Sequence, residues 1–164
     1  MSALPPLTPG QAALADARAH CAVEVLRVLD DRTRASAAGG FTTVRDLRGA
    51  AKQAGLPAPD WRAERDMVRA AGFGRFATAR VLGEWASMVD IALEAARWWG
   101  EPLDVAAVSR RSLAWQLARC PAGDPVHELH ALTARIGAAD LHHETVERPW
   151  YRQLLDGWRA VLAG

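Results

Sequence analysis

Residues Arg75–Trp99 form a run of about 25 residues without proline in which apolar side chains cover most of the circumference of a helix. Leu82, Ala86, Val89, Leu93 and Ala96 recur at steps of three and four, and Val81, Trp85, Met88, Ala92, Ala95 and Trp99 make a second stripe beside them. Only Arg80, Glu84, Ser87, Asp90, Glu94 and Arg97 are left to face water. A helix apolar over so much of its surface needs neighbours on several sides, which places it at the centre of a bundle. At ~1.5 Å per residue it spans ~37 Å, roughly the depth of a domain of this size.

The rest of the chain supplies those neighbours. Ala, Leu and Arg dominate while Ile and Tyr are scarce, which favours helix over sheet. The expected fold class is all-α, a single-domain bundle of about six to eight helices. Residues 1–7, with Pro5 and Pro6, read as a loosely held arm before a domain of residues 8–164. Thr8 and Pro9 start a helix that runs to about Ala35, with Leu14, Ala17, Cys21, Val25 and Val28 inward, and Gly39 and Gly40 end it. Thr43 and Asp46 have a capping-box spacing ahead of a short helix closed by Gly55, and Asp60 caps a third helix that ends at Gly72. Beyond the central run lie the C-terminal helices, residues 103–162. Asp104 caps the first and Pro125 starts the second, which continues to about Ile136 before Gly137 and Asp140 bend or interrupt it; Trp150, Leu154, Trp158 and Val161 mark the last.

The formal charge of +1 conceals a segregation. Residues 41–80 hold eight basic side chains (Arg45, Arg48, Lys52, Arg62, Arg65, Arg69, Arg75, Arg80) against four acids (Asp46, Asp60, Glu64, Asp66). From Val81 to Asp104 the balance reverses, with Glu84, Asp90, Glu94, Glu101 and Asp104 against Arg97 alone. A smaller basic group follows at Arg110, Arg111 and Arg119. A molecule polarised in this way can take an anionic partner on one face despite its small total charge.

Within the basic block, Ala51 and Gly55 stand four apart like the small residue and turn glycine of a helix-turn-helix, and Met67-Val68-Arg69-Ala70-Ala71-Gly72-Phe73 resembles the close of a recognition helix in winged members of that family. Glu64 or Arg65 falls where that family carries a core apolar residue. The resemblance implies a nucleic-acid-binding hairpin over residues 43–72, with Arg62, Arg65 and Arg69 projecting from one side of its second helix and Arg45, Arg48, Lys52 and Arg75 adding to the surface.

Other chemistries find less support. His127, His130, His142 and His143 cluster in sequence, two of them in acid-then-His patterns behind Asp124 and Asp140, but both aspartates fall at expected helix starts and the inward stripes offer no further carboxylates, so no metal or other cofactor is expected. No nucleophile elbow or phosphate-binding glycine loop occurs, and Cys21 and Cys120 lie on apolar faces where a thiol is inert; the chain reads as non-catalytic. With no apolar run of ~20 residues and no signal peptide, we expect a cytoplasmic protein with no membrane contact. Trp98 and Trp99 point ~100° apart on one helix, so burying both requires helices on two sides or a partner chain, and they are the candidate protein interface.

The first expectation is therefore a non-catalytic helical protein that binds DNA or RNA through its basic hairpin, as a DNA-binding regulator does. An alternative is a small structural subunit of a nucleoprotein complex. In size, helical character and lack of catalytic motifs the chain looks like the small helical subunits of CRISPR ribonucleoprotein effectors, which implies protein partners or self-association. A third is a metal- or ligand-binding helical bundle.

Overall fold

The computed structural model describes residues 3–35, 46–141 and 148–164, and among them every regular element is a helix. In chain order these are α1 (Pro9–Ala35), α2 (Leu47–Ala54), α3 (Trp61–Ala70), α4 (Arg75–Trp99), α5 (Val105–Leu117), α6 (Val126–Leu141) and α7 (Arg148–Ala163). The all-α bundle read from the sequence is the fold that forms. Its long central helix, α4, has the bounds its hydrophobic pattern gave. Gly100 ends it in a left-handed conformation (φ 63°), donating its N–H to the Arg97 carbonyl while Glu101 donates back to Ala96.

Helix α4 packs against α3, α5, α6 and α7, and more lightly against α1. Residues 88–93 are all buried, more than a full turn with no solvent face. One apolar cluster joins its Trp85, Val89 and Leu93 to α1, α2 and Leu113 of α5; another joins Met88, Ile91, Ala92 and Ala95 to Trp115, Ile136, Leu154, Leu155 and Trp158. A third, Val68, Phe73 and Val81, seats α3 on the first turns of α4.

Asp90 departs from the expected water-facing band. It is 3% exposed, because helices close over that side of α4 as well, and its charge acts on the Arg18 guanidinium of α1.

Three local readings change in the structure. The inward face of α1 is turned by about one position: Ala15, Ala19, Ala22, Val25, Leu26 and Leu29 are buried and Ala17 is exposed. Alanines fill this face because α5 approaches so closely that the Ser109 hydroxyl donates to the Ala15 carbonyl at 2.7 Å. Second, the cap of α2 is Asp46 itself, whose carboxylate accepts from the Gly49 N–H at 3.2 Å; Thr43 lies outside the described residues, as do Gly39 and Gly40. Third, α6 runs unbroken past Gly137, which faces Ile91 of α4.

At the start of α1 Thr8 does more than cap. Its hydroxyl accepts from the Gln11 N–H and its own N–H donates to the Gln11 side chain, a complete capping box. In the arm before it, Leu4 packs on the second cluster and Leu7 on the first.

Candidate nucleic-acid interface

The basic block folds as α2, a short link and α3. Both helices begin on an aspartate. Asp46 holds the N-terminus of α2, and Asp60 accepts from the Ala63 N–H at 3.1 Å to hold that of α3. Gly49 leaves room for the first of these caps, since a Cβ there would lie 2.6 Å from a carboxylate oxygen of Asp46 and would push that side chain aside. Two of the four acids of the block are thus engaged at helix ends.

A third acid is engaged in the interior. Glu64 is 2% exposed, and its two carboxylate oxygens accept from Nε and Nη2 of Arg18, each at 2.8 Å. The Arg18 guanidinium also lies 5.0 Å from the centre of the Trp85 ring. Burial works against the charge of Arg18, yet Glu64 and Asp90 together raise its pKa. This ion pair bolts α3 to α1 beside α4.

The basic side chains are left facing outward. Trp61, the first residue of α3, is 39% exposed, and the guanidinium carbons of Arg48, Arg65 and Arg62 stand 5.1, 5.4 and 5.5 Å from its ring centre. Lys52 is one turn beyond Arg48 on α2 and Arg69 is one turn beyond Arg65 on α3; both are exposed. Arg75 opens α4, exposed, across the turn at residues 72–74. Asp66 approaches the cluster, its carboxylate 3.5 Å from Arg65. Arg80 leans away toward Glu84, at 3.6 Å. Of the residues expected to form the surface, the structure gathers Arg48, Arg62 and Arg65, with Lys52 and Arg69 alongside, while Arg45 lies outside the described residues. Trp61 was not expected among them. The signal for it is its place directly after a helix cap, where a side chain can leave the buried stripe.

Two of the three arginines of the second basic group are paired with acids. Arg110 pairs with Asp16, whose carboxyl is held below its usual range by the hydrogen bond from that guanidinium. Arg111 donates to both oxygens of Asp124, at 3.0 and 2.8 Å, and Arg119 lies flat on Phe73 at 3.6 Å. A groove of roughly 940 Å³ beside them, walled by Leu4, Leu7, Ala107, Pro125 and Val161, is mostly apolar.

Trp98 is half-buried against Tyr151 with Arg148 over its ring at 4.9 Å, and Trp99 is 39% exposed beneath Arg152. Phe76, near the start of α4, is 87% exposed. His127 and His130 lie against the Trp115 ring, with His130 facing Glu84 at 3.5 Å; His142 and His143 are outside the described residues. Among the described residues no three metal-liganding side chains converge, and no helix is long and apolar enough to cross a membrane. Burial raises the pKa of both cysteine thiols, and each lies within hydrogen-bonding distance of a neighbour, Cys21 of the Pro57 carbonyl and Cys120 of the Gln116 side chain. No protein-family model, no curated protein and no solved structure matches the chain.

Proposed function

We propose that the chain binds nucleic acid through the outer face of α2 and α3 and carries out no catalysis itself. The observation that supports this reading is the placement of charge. Arg48, Arg62 and Arg65 converge on one half-exposed indole, while three of the four nearby acids are committed to helix caps or to Arg18. Phosphates are the anions that a surface of closely spaced guanidiniums suits best, since each can accept two parallel hydrogen bonds.

The test is the triple variant Arg62→Ala, Arg65→Ala, Arg69→Ala. We expect it to weaken binding to any nucleic-acid probe by a factor of about 10 or more at low salt and to lower the slope of log affinity against log salt by about 2 to 3, with the helical circular dichroism unchanged. Equal affinity and an equal slope in the variant would overturn the reading.

A second reading, a structural subunit of a larger nucleoprotein assembly, is favoured by Phe76 and Trp99, large apolar side chains that are exposed at the two ends of α4. It adds a protein partner to the same basic surface.

A further inference from the structure

We propose that Trp61 is a stacking platform and that the surface takes a single strand with unpaired bases in preference to a duplex; this rests on the nucleic-acid reading above. Arginines alone suffice to hold a phosphate backbone, so they do not account for an indole at the centre of the cluster. Duplex bases are stacked on one another and offer a protein only their edges, leaving a flat aromatic face nothing to lie against. Unpaired bases expose their faces, and a base laid on an aromatic ring inside a basic groove is the arrangement that single-strand binders use.

The geometry covers the ring only loosely. Arg119 shows what a guanidinium seated directly on a ring looks like here, 3.6 Å from the centre of Phe73. Around Trp61 the three guanidiniums stand off at 5.1 to 5.5 Å, and 39% of the residue remains in solvent. They lie over the ring at a looser distance than Arg119 on Phe73, so a base that stacks on the indole takes the place of a loosely held guanidinium. Each lies within 5.5 Å of one point, so no two are separated by more than twice that distance, and any two closer than the Debye length of ~8 Å repel one another. A sugar-phosphate strand relieves that repulsion by pairing with the arginines while its base fills the indole face. Trp61 also begins α3, where its side chain is not needed to hold the helix to the bundle; Glu64 and Val68 do that one and two turns later.

The experiment compares the wild type, Trp61→Ala, Trp61→Phe and the triple arginine variant on a fluorescently labelled single strand of about 20 nucleotides, as DNA and as RNA, and on the matching duplex. Trp61→Ala is expected to lose roughly 5- to 150-fold in single-strand affinity, Trp61→Phe much less, and neither to change duplex affinity or the salt slope appreciably. A Trp61→Ala variant that binds the single strand as tightly as the wild type overturns the platform. If the triple arginine variant has then lost affinity for both probes, the nucleic-acid reading survives without it. A wild type that binds none of the probes ends both.

Discussion

Among single residues, Arg18 and Glu64 carry the largest local commitment. Both are almost wholly withdrawn from water, the pair is bidentate, and removing one partner strands the other's charge in the interior. Glu64→Ala is expected to lower the unfolding free energy by about 3–5 kcal/mol in a urea titration, and the double variant Arg18→Met with Glu64→Leu to recover most of the loss. A loss below about 1 kcal/mol in the single variant, the range of solvent-screened pairs, would show that the pair is not buried as described. Sequence carried a trace of this feature. Periodicity put a charge, Glu64 or Arg65, at an inward position of α3, but it did not choose between them, and no pattern in one sequence names the partner of Glu64, which is 46 positions away on another helix. The arginine surface was legible in the same way, from the imbalance of charge over residues 41–80, whereas Trp61 was not: near the end of a helix, periodicity cannot say whether a ring turns in or out.

Elements were the most legible level where glycine and proline punctuate a strong apolar period, and α4 is the best case. Legibility failed where tertiary contact overrode local preference. Gly137 reads as an interruption, yet α6 continues through it, with Val126, Leu129, Leu132 and Ile136 of the same helix buried in the core beside α4. The inward face of α1 was misplaced because alanine stripes carry little hydrophobic contrast. Within α4, Gly83 is exposed and has open space around the position a Cβ would take. It weakens the helix without packing to compensate. Gly83→Ala is expected to stabilise the protein by about 1 kcal/mol, read as a higher urea midpoint at an unchanged m-value. A lower midpoint would mean that something does occupy that side of the helix.

For the molecule as a whole, the closing contact is the one that ties α7 to the turn after α4. Glu101 accepts from Arg152 at 2.8 and 2.9 Å and pairs with Arg159, and these hydrogen bonds, that from Arg152 first, hold its carboxyl down to about 2 against an ordinary value of 4.5. A carboxylate depressed on folding adds stability that is fully present above its unfolded value and disappears as pH falls through its folded one. Glu101→Gln is therefore expected to be less stable than the wild type at neutral pH, with the gap narrowing below pH 4.5 and closing near pH 2 in chemical denaturation. A gap that stays constant on acidification would trace the loss to packing instead of charge.

The burial of the middle of α4 on every side has a consequence for synthesis. When the ribosome has delivered only the first hundred residues, Met88, Ile91 and Ala95 still lack the helices that will cover them, so the oily flank of the longest helix waits in the open until the last third of the chain arrives. The nascent protein depends in that interval on a holding chaperone, or on a delay in forming α4 until its late neighbours are present.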